Sequence, residues 1–376
     1  MSELIQKHDS RAAIRWKLLT GASAVALLTY VYSAEQAKAE DSDRPQIWIE
    51  LGGQLEGMSG SEQAYVAPFI ASNFDKHQNA VSPLSPQEPP HYSIGGESKI
   101  SFEPQGTDWI FSAAIRFGRS NGSRSMNQQT ASKFVIETAK YAQKHGFTTI
   151  TNKLRFDNSR ADYHDDHAIL DFSAGKDVGF GLFGHRATST FGAGVRFAQF
   201  KTNSTITFRS LPSHYIGVDA LIHLSHQHNH SYYALLHAER EFKGVGPSIS
   251  WDGSAPFAGN PDRGAIAFDW GVNAAALFGR QKVRGKHETT GRYFFGNYNA
   301  TMHYAYVVPL DRSRSIVVPN VGGFAGLSVR YTDAKISIGY RADFFFNAID
   351  NGIDTRKTDN RAFNGPYASI SIGLGD

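Results

Sequence analysis

The chain has 376 residues, 36 glycines and no cysteine, and its 38 Lys and Arg against 35 Asp and Glu leave a net charge of +3. So small a net charge lacks the basic field that favours nucleic acid, and no nucleic-acid partner is predicted. Without cysteine, no disulfide framework holds the chain together. It must close on itself in another way.

The first 39 residues have the character of a signal peptide. Arg11, Arg15 and Lys17 form a basic region, residues 18–32 are apolar, and Ala37 to Ala39 offer a small-x-small cleavage site. We predict that residues 1–39 are removed during export and that residues 40–376 form a single domain. No later window is apolar enough over about 20 residues to be a membrane helix, so a membrane would have to be crossed by strands.

Segments in which apolar and polar side chains alternate recur through the rest of the chain. This period-two pattern predicts β-strands. The fold class predicted is all-β, a transmembrane antiparallel up-and-down β-barrel of about twelve strands with a range of ten to fourteen. The predicted strands lie near 46–57, 92–103, 108–119, 166–176, 189–201, 215–224, 231–251, 264–281, 292–308, 315–331, 334–346 and 366–375.

The connections predict which end of the barrel each loop occupies, because such barrels have short periplasmic turns and longer outer loops. The predicted outer loops are 58–91, 120–165, 202–214, 252–263, 309–314 and 347–365. The predicted periplasmic turns are 104–107, 177–188, 225–230, 282–291 and 332–333. A helix-forming segment that ends at Gly146 lies within the longest loop, as a constriction or as a surface helix.

The clearest hairpin is residues 324–346. Leu327 and Val329 precede the two-residue turn Thr332-Asp333, and Ile336 and Ile338 follow it, all on one face. In a soluble sandwich this face would meet a core, and in a membrane barrel it would meet lipid. Aromatic residues near strand ends, among them Phe344 to Phe346, and polar residues on the other face favour the barrel.

Several glycine-rich patches resemble the Legionella-type pore-forming outer-membrane protein family. They are WIELGGQLE (48–56), GAGVRFAQF (192–200), FKGVGPSISWDGSAPFAGN (242–260), FDWGVNAAALFGRQK (268–282) and IGYRADFFFNAIDNG (338–352). The resemblance implies an outer-membrane β-barrel with a porin-like role.

Ten charged residues fall on the polar, inward face of the predicted strands. As a pore lining they predict a passive, weakly selective path for ions and small hydrophilic solutes, with outer-membrane lipid around the barrel and no cofactor. The structural alternative is a closed barrel filled by salt-bridged side chains. The ten are Glu97, Lys99, Arg116, Asp171, Arg196, Asp219, Asp269, Arg330, Arg341 and Asp343.

Two histidine-rich stretches are weak metal candidates. His223, His226, His228 and His230 lie within eight residues, in a predicted periplasmic turn, but histidine density is only a compositional signal. The stretch YHDDH (163–167) offers ligands at i and i+3, and the alternative is a solvated loop end at a strand boundary. No metal site is predicted.

An outer-membrane lipid hydrolase is an alternative from a different class. His223 and Ser225 lie two residues apart, but nothing in the spacing supplies the third group that would orient the base. No GxSxG, P-loop or HExxH motif occurs, so no enzyme is predicted. A further alternative is a non-conducting structural or adhesive barrel whose long loops contact an outside partner.

Overall fold

The computed structural model describes residues 46–60, 92–131, 154–178, 187–218, 225–260, 264–295, 300–353 and 355–374. They form one closed barrel in which each strand pairs antiparallel with the next in sequence and β1 pairs with β10. The predicted all-β, up-and-down barrel is confirmed. Within the part described, no helix is long and apolar enough to cross a membrane. The predicted signal peptide and the segment ending at Gly146 fall outside the described residues.

The barrel has ten strands. They are β1 (Ile47–Ser59), β2 (Tyr92–Phe102), β3 (Trp109–Ala131), β4 (Leu154–Asp177), β5 (Thr188–Val218), β6 (Ser225–Asn260), β7 (Gly264–Phe295), β8 (Ala300–Arg330), β9 (Ala334–Asp350) and β10 (Thr358–Leu374).

The predicted count of about twelve is too high because two long strands were each divided. β5 has 31 residues and runs through the predicted outer loop 202–214. β8 also has 31 residues and runs through the predicted outer loop 309–314. For the connections between β5 and β8, the predicted end of the barrel is therefore the wrong one. The stretches 225–230 and 282–291 lie in β6 and β7 and are not turns, and 252–263 ends in a connection on the same side as the turn 331–333.

The end of the barrel that holds Ile47 and Leu374 is called the lower end. The connections 103–108 and 331–333 are also there, and the second contains the predicted Thr332-Asp333 turn, closed by a hydrogen bond from the Tyr331 N–H to the Ala334 carbonyl at 2.7 Å. The opposite, upper end is formed mainly by the long strands β3 to β8, because β2 pairs with β3 only as far as Arg119 and β8 pairs with β9 only from Asn320 downward.

The outer surface of the lower part is an apolar belt that includes every strand. Successive side chains of a strand point to opposite faces, and here the outward ones are apolar. One exposed member per strand is Leu51, Ile94, Phe111, Phe172, Phe191, Ile249, Val272, Leu327, Ile338 and Ile370.

Above the belt the arrangement is reversed. Lys201, Glu239 and Arg284 face outward there, on β5, β6 and β7. Ile206 and Leu236 face inward and are fully buried in a core cluster. The upper wall therefore has the polar exterior and apolar interior of a water-soluble sheet, whereas the lower wall has the opposite.

A bulge in β9 brings extra side chains into the barrel. Asn347 has φ of 56°, in the left-handed region that Asn tolerates better than most residues. Its N–H donates to Asn360 Oδ1 at 2.9 Å, and its carbonyl accepts from Gln281 Nε2 at 2.6 Å. Beyond it, Ala348, Ile349 and Asp350 are all buried, and Ala348 and Ile349 join the core cluster inside the barrel.

Candidate functional site: the lumen

The lower lumen contains charged side chains that pair with one another. Nine of the ten predicted inward charges lie on described strands at inward positions, and Asp219 lies outside the described residues. Arg116 binds Asp343 and Arg341 binds Glu97, each at 2.5 Å. Both pairs join strands that are not neighbours in the barrel, β3 to β9 and β9 to β2.

Two further groups complete this polar layer. Arg196 binds Asp171 at 2.6 Å and also donates to the side-chain oxygens of Asn273 and Asn320. Asp269 forms ion pairs with Arg330 and Lys335, both at 2.8 Å. Lys335 was not among the ten predicted site residues. Most of these charges are therefore compensated by partners inside the barrel.

Above the polar layer, four phenylalanine rings meet across the lumen. Phe200 of β5 and Phe363 of β10 have ring centroids 5.4 Å apart, although these strands are diametrically opposite in the barrel order. Phe345 lies 4.6 Å and Phe242 5.8 Å from Phe200. Phe200, Phe242 and Phe345 are 0% exposed and Phe363 is 3% exposed. We call these four rings the aromatic plug.

Phe345 corrects one expectation from the sequence. The sequence predicts that the whole run Phe344 to Phe346 faces outward, but only Phe344 and Phe346 are exposed. A strand alternates its faces, so the central ring points into the lumen and joins the plug.

Buried polar residues lie around the plug. His167 Nε2 is 3.3 Å from Glu56 Oε2, and its ring lies 4.2 Å from that of Phe363. Ser93 donates to the same Glu56 oxygen at 2.9 Å. Arg361 of β10 binds Asp165 of β4 at 2.9 Å, with side-chain exposures of 1% and 0%. The contacts of His167 and of Arg361 also connect strands that are not neighbours in the barrel.

A second buried arginine lies higher in the barrel. Arg240 donates through Nε to the Asp350 carbonyl at 3.1 Å and through Nη1 to Ser204 Oγ at 2.8 Å. Its Nη2 has no hydrogen-bond partner among the described residues. Burial lowers the pKa of Arg240 to about 10, against the opposing effect of Asp350. The Asp350 carboxylate instead accepts from Arg312 at 3.3 Å.

The stretch 163–167 is not the solvated loop end expected from the sequence. It lies within β4, where Tyr163, Asp165 and His167 are buried and His164 and Asp166 face outward. His164 and His167 are therefore on opposite faces and do not share a ligand. Both ring nitrogens of His164 have partners on the outer face, Asn121 and Asp166.

The other histidine stretch was predicted to be a turn, but its described part lies within β6 at the upper end. His226, His228 and His230 occupy alternate positions of β6 beside Tyr215 and Ser213 of β5, and His223 is outside the described residues. Among the described side chains, no group of three or more His, Asp or Glu is arranged to hold a metal ion. Ser225, the predicted partner of His223 in a hydrolase, is the first residue of β6.

Comparison with known proteins gives weak similarities to solved barrels. The outer-membrane protease OmpT of Escherichia coli matches with 11% identity and a TM-score of 0.35, over 90% of this chain and 99% of that one. The translocator domain of the autotransporter NalP of Neisseria meningitidis matches with 10% identity and a TM-score of 0.27, over 94% and 97% of the two chains. The toluene transporter TodX of Pseudomonas putida matches with 11% identity and a TM-score of 0.19, over 89% and 90%.

These TM-scores are below 0.5, so nothing about the activity of this chain follows from them. No protein-family model matches the chain. No curated protein matches it either. The resemblance to the Legionella-type family stays a prediction.

The sequence predicted inward charges but missed the plug and the buried polar residues around it. A signal was present for the plug, since Phe200 and Phe242 lie at inward positions of long alternating segments. For Glu56, His167 and Arg361, the sequence contains no signal that they converge. Their strands are brought together only by closure of the barrel.

Proposed function

We propose that this protein is an outer-membrane β-barrel whose lumen is closed at rest. The apolar belt supports the membrane placement, because so continuous an exposed apolar surface is unfavourable in water. The lower end, with its short turns, then faces the periplasm, and the long strands project outside the cell. The proposal includes no cofactor and no catalytic step.

The contact between Phe200 and Phe363 is the observation on which the proposed closed state rests. Rings on opposite strands 5.4 Å apart leave no room between them for a hydrated ion. Ten strands also lie close to the eight that side chains can fill and well below the 16 to 18 that leave a wide channel. A passive, weakly selective pore would require the plug to move aside.

The paired charges below the plug favour a pore that opens as the second candidate. A lower lumen lined by Glu97, Arg116 and Arg341 is polar enough to admit water and small ions. In this candidate the aromatic plug is the barrier, and the polar layer is the part of the path beneath it.

Conductance in planar lipid bilayers tests both candidates. We expect the purified protein to be silent or to open rarely. We expect Phe200→Ala, which removes the ring that touches the other three, to give frequent discrete steps. Phe197→Ala is the matched control, because Phe197 lies on the same strand but faces outward and is 44% exposed.

Steady open steps from the unmodified protein would show that the closed-lumen proposal is wrong. Silence from both the unmodified protein and Phe200→Ala would reject the opening pore and leave the non-conducting barrel. Folding of each variant is checked by its shift in gel mobility on heating. Phe200→Leu provides a milder variant if the alanine change prevents folding.

A further inference from the structure

The outer wall just above the apolar belt has a basic site on β6 and β7. The uppermost apolar row there runs across four strands, with Phe197 beside Val245, Val245 beside Phe278 and Phe278 beside Val317. In the next outward row upward, Lys243 lies beside Arg280, and Arg280 beside Ser315. Cations therefore begin immediately where the apolar surface ends.

The row above continues this site. Lys282 of β7 lies beside Glu241 of β6 and Ser313 of β8. Glu241 is held by Lys243 at 2.5 Å, and the nearby Glu239 is held by Lys201 at 2.9 Å. These two carboxylates are thus paired with other lysines.

Arg280 and Lys282 have no such partner. Neither makes an ion pair or a hydrogen bond within the described residues. The next two outward positions of β7, Arg284 and Lys286, are also basic, so four successive outward side chains on one strand have the same charge. On the β3–β4 wall, by contrast, Arg119 is paired with Asp166 and Arg160 with Asp162. Higher on β7, Arg284 lies beside Glu239 of β6 and Asp311 of β8, and Lys286 is paired with Glu288. Within the described part of this strand, the positive charge without an acidic partner is therefore at Arg280 and Lys282.

The height of this site matches a lipid headgroup. Arg280 and Lys282 lie two and four residues beyond Phe278, which is about 7 and 14 Å along the strand. With a strand tilt of about 40°, they lie about 5 and 10 Å above the last apolar row. The headgroup region on each side of a bilayer is about 5 to 8 Å thick. A phosphate at the top of an acyl chain would therefore be level with Arg280.

We propose that Arg280 and Lys282 bind the phosphate of a phosphorylated glycolipid in the outer leaflet. Arg280 binds phosphate oxygens through its planar guanidinium, and Lys282 adds a second charge one step higher. Ser313 and Ser315 of β8 are exposed beside them and supply hydroxyl donors. The acyl chains of the same lipid lie against Phe278, which is 58% exposed, and so the site is continuous with the belt. This assignment rests on the proposed membrane placement.

The test is native mass spectrometry of the purified full chain in detergent with bisphosphorylated lipid A as the probe. We expect a retained lipid A adduct whose affinity falls about 30-fold in Arg280→Gln/Lys282→Gln, from two lost charges near a membrane surface. The matched control is Lys286→Gln, which removes one charge higher on the same strand, from a residue already paired with Glu288 at 3.1 Å. The control should bind as the unmodified chain does.

Three further measurements separate the explanations. Dephosphorylated lipid A should bind no better to the unmodified chain than to the double variant, and inorganic phosphate should not displace the lipid. Equal lipid A affinity in all variants would overturn the site. Flotation with phosphatidylcholine vesicles tests membrane placement separately. Flotation without lipid A preference rejects only the site, whereas failure to float rejects the membrane placement and the site together.

Discussion

A charge placed on the outer wall should destabilise the barrel at one height and be tolerated at another. Val272 on β7 faces outward midway along the belt, between Ile266 and Phe278, and is 51% exposed. Val307 on β8 also faces outward and is 59% exposed. It lies ten residues beyond Val317, at the top of the belt on that strand, and so about 26 Å above it for a strand tilted by about 40°. The same substitution can therefore be made in two comparably exposed valines that differ mainly in depth.

For Val272→Lys we expect a loss of about 2 to 4 kcal/mol in the free energy of unfolding from lipid vesicles, because an ammonium near the bilayer midplane must leave water. This corresponds to a roughly 30- to 800-fold change in the folding equilibrium. For Val307→Lys we expect a change within about 0.5 kcal/mol, as for an ordinary surface site. Urea titration followed by tryptophan emission measures both. Equal losses at the two sites would refute the assignment of the belt to lipid.

Three further predictions concern polar residues around and above the plug. Arg240→Met should leave the free energy of unfolding unchanged or raise it by about 1 to 4 kcal/mol, because within the described residues the buried guanidinium donates its hydrogen bonds to neutral oxygens; a clear loss in urea titration would show that attraction by the nearby Asp350 charge outweighs the cost of burial. Asp165→Asn should cost about 3 to 5 kcal/mol by leaving Arg361 buried without its carboxylate, and Asp165→Asn/Arg361→Met should recover most of that loss; no recovery in the double variant would contradict this account. The hydrogen bond from Arg160 holds the pKa of Asp162 below its usual range. This exposed pair therefore adds a small stability at any pH above the usual carboxyl pKa, and that stability is lost as the pH falls through the lower pKa of the folded state. A difference in stability between Asp162→Asn and the unmodified chain that persisted in acid would show another cause.

The fold class could be predicted from the sequence, because the apolar belt requires apolar and polar side chains to alternate along every strand. The hairpin around Thr332-Asp333 is the clearest case, since Leu327, Val329, Ile336 and Ile338 all face outward. A tight turn between two alternating segments determines both the pairing and the outward face.

The strand number could not be predicted from the sequence, because the apolar side chains of β5 change from the outward to the inward face within one unbroken strand. Phe197 faces outward in the belt, whereas Phe200 faces inward in the plug. The pattern then continues on the inward side through Ile206 and Phe208. From sequence, this change of phase is the same signal that a loop between two strands would give. β8 was divided for a similar reason, between the outward Val317 and the inward Leu310.

The alternation of each strand predicts which charges face inward, but it does not predict which charges pair with one another. Arg341 and Glu97 are 244 residues apart in sequence, and nothing local relates them. Which side chains meet across a barrel depends on the number of strands and on their stagger, and both follow only from the closed sheet. The same holds for Phe200 and Phe363.

The reversal of sides along β5 to β8 also protects the barrel against misassembly. A slip of one residue in the pairing of a long strand would turn all its side chains to the other face. In the lower half this would bring charges such as Arg196 into the apolar belt, and in the upper half it would expose Ile206 and Phe208 on the outer wall. A single error would thus be unfavourable in both halves of the barrel at once. The register of each of these strands is therefore specified twice along its length.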